Sequence, residues 1–181
     1  MQFPFSAISD TGGERWKHLF DELWPAYRDW YLSEGADARP TYLECRSAMK
    51  SSMPELVPTW ERLVDLAGGG DLAARFLSLY CPPAYLSGCS QAVWPGAEPL
   101  LVRNYDYSPQ AFDGVVIKTA WGRHSVMGTS DCLIGLVDGV NEAGLGVSLT
   151  FGGRRVVGTG FGVPIILRYV LETCETAEEA G

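Results

Sequence analysis

The chain has 181 residues, of which 46% are hydrophobic and 20% charged, and its formal net charge is −8. This composition is typical of one folded domain, with or without a small appendage, and it excludes a disordered chain. A negative surface repels phosphate backbones and anionic lipid, so nucleic acid and a membrane surface are disfavoured as partners.

The chain has five cysteines and no C-x-x-C pair, which disfavours both a disulfide framework and a structural zinc site. A reducing cytoplasm is therefore the expected location. The first residues lack the pattern of a signal peptide, and no apolar run reaches the roughly 20 residues that cross a bilayer. All cysteines except Cys89 are assigned to packing, including Cys132 in a predicted apolar strand.

Aromatic and aliphatic residues recur at helical spacing over residues 13–34. Pro25 falls inside this stripe and is expected to kink or break the helix. Residues 54–67 predict a second helix that ends at Gly68–Gly70, and Asp71 can cap a third. The first part of the chain is therefore predicted to be helical.

After Tyr85 the chain changes to short apolar segments separated by Gly, Pro, Asn and Asp, a pattern that predicts strands. The predicted strands are CSQAVW, PLLVRNYDY, GVVIKTAW, SVMGT, CLIGLVDGV and GLGVSLTF. Asp138-Gly139 and Asn141–Gly144 supply turn chemistry between the last two. A helix is predicted from Pro164, and the order of elements indicates an α+β fold with helices against an antiparallel sheet.

Near the end of the sequence, Thr176 and Glu179 have the spacing of a capping box, which predicts the start of another helix. That helix would run past Gly181. The sequence is therefore expected to be a fragment of a longer protein, with a domain that is incomplete at its C-terminal end.

A turn signal, Pro95–Pro99, separates the first two predicted strands. If these strands pair antiparallel about Ala97, Cys89 lies opposite residue 105, and both Arg103 and Asp106 can approach Cys89 provided that the strand bends or ends there. An arginine beside a cysteine stabilises the reactive thiolate, and a carboxylate can orient an amine or a nucleophile. A buried structural cysteine fits the same hairpin, so this geometry alone leaves both interpretations open.

Three sequence elements follow one another in order: Gly88-Cys89, then Arg103–Asp106 (RNYD), then Asp138–Leu145 (DGVNEAGL). Their types and spacing resemble acyl-coenzyme A:6-aminopenicillanic acid acyltransferase-type and choloylglycine hydrolase-type enzymes of the N-terminal-nucleophile hydrolase superfamily. The resemblance covers roughly residues 85–181. Each element alone is a weak signal, whereas the ordered set is fairly specific.

The resemblance implies an α-β-β-α sandwich in which residues 1–88 form a helical leader that self-cleavage releases, and residues 89–181 begin the catalytic chain. The long leader favours the acyltransferase branch. Before processing, the Cys89 thiol would attack the Gly88 carbonyl to give a thioester. Hydrolysis would leave Cys89 with a free α-amine, and an α-amine has a pKa of about 7.7–8.0, which suits a general base near neutral pH.

The resemblance also implies roles for individual residues. Asp106 would hold the α-amine, Arg103 would polarise or position the reacting groups, and the Thr150 backbone N–H would be an oxyanion donor. A second oxyanion residue, an Asn, is expected beyond Gly181. Residues predicted to contact substrate are Asn104, Tyr105, Asn141 and Phe151.

The predicted function is transfer or hydrolysis of an acyl group from an amide or thioester through a Cys89 acyl-enzyme, without a cofactor. The partner would be a small-molecule acyl substrate, with a coenzyme A thioester as one candidate donor. The cleaved chains are expected to stay together, and a homo-oligomer is left open. Two alternatives remain: a penicillin V-type or choloylglycine-type linear-amide hydrolase that needs no leader cleavage, and a non-catalytic binding domain on the same fold.

The sequence contains other candidate residues besides Cys89. His124, in a turn predicted to be exposed, is the runner-up general base for a papain-like Cys–His arrangement, and His18 is assigned to the surface or to packing. Two separated histidines disfavour a metal site. The GTGFG stretch at 158–162 lacks the spacing of a nucleotide-binding loop, and the preceding Arg154 and Arg155 fit an anionic substrate or a solvated turn.

Overall fold

The computed structural model describes residues 6–10, 13–84, 88–106, 113–150 and 158–181. In these residues the α-helices are α1 (Glu14–Tyr31), α2 (Tyr42–Ser52), α3 (Val57–Leu66), α4 (Asp71–Leu77) and α5 (Val163–Thr173). The strands are β1 (Ser6–Asp10), β2 (Cys89–Trp94), β3 (Leu100–Tyr105), β4 (Val115–Thr119), β5 (Val126–Asp131), β6 (Gly135–Asn141) and β7 (Gly146–Ser148). The predicted α+β class is confirmed. None of the described helices is both long and apolar enough to cross a membrane.

Pro25 was expected to kink or break the helix, and α1 runs through it, so the break does not occur. A proline inside a helix removes one hydrogen bond and costs about 3 kcal/mol. Aromatic packing holds both sides of Pro25, because the rings of Trp24 and Tyr27 each lie 5.3 Å from the ring of Phe76 in α4. These tertiary contacts stabilise the helical conformation across the proline.

Strand β1, which the sequence pattern did not predict, is an edge strand of the larger sheet. That sheet has the order β1-β4-β5-β6-β7, and β1 pairs parallel with β4 along its whole length. Helix α1 packs against the same core, and the Trp16 indole Nε1 donates a hydrogen bond to the carbonyl of Leu133 at 2.8 Å. The N-terminal helical region and the sheet therefore share one hydrophobic core.

The two faces of the larger sheet have different neighbours. The strand register places Thr129, Asp138 and Ser148 side by side on one face. On the other face, α5 lies so close to Gly139 that an added Cβ would be 2.9 Å from a leucine of α5. The antiparallel hairpin β2–β3 meets the first face, because Arg103 of β3 donates to the Ser148 hydroxyl at 3.1 Å. The sheet is thus covered by helix on one side and contacted by the hairpin on the other.

Two predictions about β6 and the turn that precedes it are wrong. Asp138-Gly139 was expected to form a turn, but both residues lie inside β6. Gly139 pairs with Gly128 of β5, and a Cβ on either glycine would collide with the partner strand. Cys132 lies in the connecting turn rather than in a strand, with a left-handed φ of 53°. Cys132 is buried, as predicted. Close packing explains the Asp-Gly pair, since glycine allows the two strands to approach.

The predicted turn from Asn141 to Gly144 connects β6 to β7, with Gly144 in the left-handed region at φ 90°. At the C-terminal end, the Glu179 N–H donates to the Thr176 hydroxyl at 3.3 Å, which is the predicted capping contact. Residues 175–180 form turns and bends rather than the predicted helix.

Candidate active site

The hairpin register sets the positions of the candidate residues. Cys89 lies opposite Tyr105, as the turn signal predicted. Residues that face each other across a ladder share a side, and the side alternates along each strand. Cys89, Arg103 and Tyr105 therefore lie on one side of the hairpin, whereas Ser90 and Asn104 lie on the other.

Arg103 connects the Cys89 thiol to the larger sheet. Its Nη2 donates to Cys89 Sγ at 3.0 Å, and its Nη1 donates to the Ser148 hydroxyl and to the carbonyl of Val137. Only 6% of the Arg103 side chain is exposed, and its guanidinium lies 4.2 Å from the centre of the Tyr105 ring. The guanidinium is thus held on several sides, with one of its N–H groups directed at the Cys89 sulfur.

Asp138 holds both Arg103 and Tyr105. Its Oδ2 accepts the Tyr105 hydroxyl at 2.6 Å and lies 3.7 Å from Arg103 Nε, and its Oδ1 accepts from Thr129 N at 3.2 Å. Burial raises the pKa of Tyr105 well above its ordinary value, and the bond to Asp138 raises it further. Tyr105 therefore remains a protonated donor to Asp138. Its predicted role was contact with substrate, but its hydroxyl is used inside the protein.

The sequence did not single out Asp138 and Ser148 as members of the site. Asp138 was assigned to a turn because it precedes Gly139. A carboxylate in the otherwise apolar run GLVDGV was the available signal, because a partly buried carboxylate requires donors. Ser148 gave no comparable signal, since its contact with Arg103 depends on how the hairpin meets the sheet.

Asp106 lies just beyond β3 and interacts with the second side of the hairpin. Its carboxylate accepts from the Ser90 hydroxyl at 3.0 Å and from the Asn104 side-chain amide. Its main-chain N–H donates to the carbonyl oxygen of Gly88 at 2.7 Å. The structure thus joins the Asp106 main chain to Gly88, whereas the Asp106 carboxylate contacts Ser90 and Asn104 on the side of the hairpin opposite the Cys89 side chain.

The remaining predicted site residues lie at the edge of this arrangement or outside it. Thr150 is exposed and follows Ser148 by two residues. Phe151, like Arg154 and Arg155, lies outside the described residues.

Asn141 is 5% exposed and makes four side-chain hydrogen bonds. Its amide donates to the carbonyls of Leu171 and Cys174, and its oxygen accepts from the N–H groups of Ala143 and Leu145. These bonds favour a structural role for Asn141 over the predicted contact with substrate.

The alternative general base, His124, has an environment that the sequence did not predict. His124 is only 8% exposed, so the expectation that it is exposed is wrong. Its Nδ1 lies 3.5 Å from Glu142, and its Nε2 lies 3.7 Å from Glu175. The turn between β6 and β7, which carries Glu142, and the residues just after α5, which include Glu175, lie against the imidazole and explain its burial. His18 is exposed on α1. In the part of the chain that the structure describes, no group of three or more His, Cys, Asp or Glu residues could hold a metal ion.

The family model of acyl-coenzyme A:6-aminopenicillanic acid acyl-transferase matches residues 94–181. The resemblance seen in the sequence is thereby confirmed over this range, which contains Arg103–Asp106 and Asp138–Leu145. The range begins five residues after Cys89. In general terms, the match supports an acyltransferase or hydrolase of the N-terminal-nucleophile superfamily. No curated protein matches the chain.

Proposed function

We propose that this protein is a cysteine acyltransferase or amidohydrolase of the N-terminal-nucleophile type, which matures by cleavage between Gly88 and Cys89. The observation that carries the proposal is the 3.0 Å contact between Arg103 Nη2 and Cys89 Sγ at the start of β2. The family match supports the proposal because it includes Arg103 and Asp106.

In the proposed reaction, Cys89 Sγ attacks the carbonyl carbon of a small amide or thioester. The amine or thiol of the donor leaves with a proton, and the acyl group remains on sulfur as a thioester. Water or an acceptor amine then attacks that thioester and restores the Cys89 thiol. Arg103 stabilises the thiolate before the attack, and Asp138 and Tyr105 hold its guanidinium in place. The Thr150 N–H would stabilise the oxyanion.

In the proposed maturation, residues 1–88 form the leader chain and residues 89–181 belong to the catalytic chain. Cleavage gives Cys89 an α-amine, which serves as the general base and is held by the Asp106 carboxylate. The two chains stay together, because β1 pairs with β4 and α1 shares the core with the sheet. Helix on one face of the sheet and the hairpin on the other fit three layers of an α-β-β-α sandwich.

The proposed substrate is a small acyl donor in the cytoplasm, and a coenzyme A thioester is one candidate. The pairing of β1 with β4 also supports a second function. A linear-amide hydrolase that uses Cys89 without cutting the leader would also keep the N-terminal region built into the sheet. The two functions differ in one property, the integrity of the Gly88–Cys89 bond in active enzyme.

Trapping of the acyl-enzyme tests the proposed nucleophile. The purified protein is incubated with acyl-coenzyme A thioesters and activated amides, quenched in acid, and digested for mass spectrometry. We expect the added acyl mass on the peptide that contains Cys89, and turnover of the same donor.

Two variants make this result specific. Cys89→Ala should lose both the adduct and turnover. Cys174→Ala is the matched control, because Cys174 is another partly exposed thiol, and it should keep both. An adduct that persists in Cys89→Ala would contradict the assignment of the nucleophile.

A further inference from the structure

The hairpin places a hydrogen-bond donor on the carbonyl that self-cleavage would attack. The carbonyl oxygen of Gly88 accepts from the main-chain N–H of Asp106 at 2.7 Å. This bond continues the β2–β3 ladder one pair beyond Cys89 and Tyr105. In the precursor, the donor therefore lies against the oxygen that would become negatively charged when sulfur attacks.

Glycine is required at position 88 for this approach. An added Cβ at Gly88 would lie 2.7 Å from the carbonyl oxygen of Asp106 and 3.2 Å from its Cβ. A contact with backbone at this distance is relieved only by moving one strand away from the other. Asp106 resists such movement, because Ser90 and Asn104 bind its carboxylate.

We propose that the main-chain N–H of Asp106 is the oxyanion donor of the self-cleavage step, and that Gly88 is needed because a larger residue would separate this donor from the carbonyl. The inference rests on the proposed function, since it concerns the same Gly88–Cys89 bond. It assigns the Asp106 N–H to maturation, a role separate from that of the Asp106 carboxylate in the mature enzyme.

The step balances as an N-to-S acyl shift followed by hydrolysis. Cys89 Sγ bonds to the Gly88 carbonyl carbon, and the carbonyl oxygen takes the negative charge against the Asp106 N–H. The carbon–nitrogen bond then breaks, and Cys89 N takes up the proton lost by the thiol. Water cleaves the resulting thioester to a Gly88 carboxylate and the restored thiol. Arg103, 3.0 Å from Sγ on the other side of the hairpin, stabilises the attacking thiolate.

Replacement of the single N–H tests the proposal directly. The full chain is made by cell-free translation, with the α-hydroxy analogue of aspartate introduced at position 106, so that an ester oxygen replaces the N–H. Loss of one oxyanion donor slows related reactions by about 10²–10³-fold, and we expect self-cleavage to slow to a similar extent. The readout is the fraction of cleaved chain against time after synthesis.

An ester at Val102 is the matched control, because it removes an N–H from the same strand four residues earlier. We expect it to cleave within about threefold of the all-amide chain, since it changes only one ordinary ladder position. Equal rates for the position-106 ester and the all-amide chain would overturn the inference, as would equal slowing by both esters. An all-amide chain that never cleaves would instead contradict the proposed function.

A conventional substitution provides an independent test. Gly88→Ala should slow self-cleavage at least about tenfold, because the added Cβ separates the donor from the carbonyl. Gly70→Ala is the control, since Gly70 has open space around it and a φ of −73°. Cleavage of Gly88→Ala at the wild-type rate would contradict the steric part of the proposal.

Discussion

Arg103 and Arg168 occupy similar environments on opposite faces of the larger sheet. Each guanidinium contacts a main-chain carbonyl, a hydroxyl, a carboxylate and an aromatic ring. The partners of Arg103 are Val137, Ser148, Asp138 and Tyr105. The partners of Arg168 are Ile134, Thr119, Glu172 and Trp121.

The difference between the two arginines lies in what else they touch. Arg168 and Glu172 form an ion pair in α5 whose side chains are 0% and 2% exposed. Arg103 extends from a largely exposed hairpin and also contacts the sulfur of Cys89, which is partly exposed. A buried arginine alone therefore does not mark a reactive site. The proposed function assigns a reactive site to the buried arginine that contacts a partly exposed thiol, and the following predictions test this distinction.

The largest expected effect is on the stability of the Arg168 network. Arg168→Met leaves the Glu172 carboxylate buried without its cation, which should lower the free energy of unfolding by about 3–5 kcal/mol. Urea denaturation measures this loss. The double variant Arg168→Met/Glu172→Met should recover most of it, because both charges are then removed. A loss of activity per folded molecule in Arg168→Met would contradict the separation of the two arginines.

Removal of Arg103, in contrast to removal of Arg168, should reduce activity more than stability. Arg103→Met should lower kcat/KM about 100-fold, or about 2.7 kcal/mol, because the thiolate loses its charged donor. The loss of stability should be smaller than for Arg168→Met, because Asp138 still accepts from Tyr105 and Thr129. Steady-state kinetics at several pH values and urea denaturation separate the two effects. Full activity in Arg103→Met would contradict its role.

Asp138 should act on the reaction through Arg103. Asp138→Asn keeps the size of the side chain but removes the negative charge beside the guanidinium, so Arg103 is held less firmly. We expect kcat/KM to fall about tenfold, or about 1.4 kcal/mol. In the Arg103→Met background the same substitution should have little further effect. Additive losses in the double variant would show that Asp138 acts independently.

A buried cluster without an arginine should respond to substitution with a gain of stability rather than a loss. Tyr27 donates to Asp113 at 2.8 Å and lies 3.1 Å from Asp131, and burial together with the Asp131 charge raises the pKa of Asp113 to about 7. The folded state therefore binds a proton that the unfolded state releases above about pH 4. This contribution to stability is present below about pH 4 and is lost as the pH rises to about 7.

Substitution of Asp113 tests that sign. Asp113→Asn removes the titration, so the variant should be about 1–2 kcal/mol more stable than wild type at pH 8, with the difference shrinking toward pH 4. Urea denaturation of both proteins at pH 4, 6 and 8 measures the difference. A difference that is constant across this range would contradict the raised pKa of Asp113.

Local patterns in the sequence predicted the β2–β3 hairpin and the approach of Arg103 to Cys89 within it. The turn about Ala97 fixed the register, and the register alone brings Arg103 near Cys89. Predictions failed where distant packing decides the structure. Phe76 supports the helix across Pro25, and the end of α5 covers His124. The place of Asp138 in the site likewise depends on how the hairpin meets the sheet, which no local pattern encodes.

The central claim is that Cys89 becomes an N-terminal nucleophile, and the intact mass of the active protein tests it most directly. The protein is purified, and mass spectrometry is combined with N-terminal sequencing of each product. The account predicts two associated chains, one ending at Gly88 and one beginning Cys89-Ser90-Gln91, and a single uncut chain for Cys89→Ala. A single uncut chain in active wild-type enzyme would contradict it.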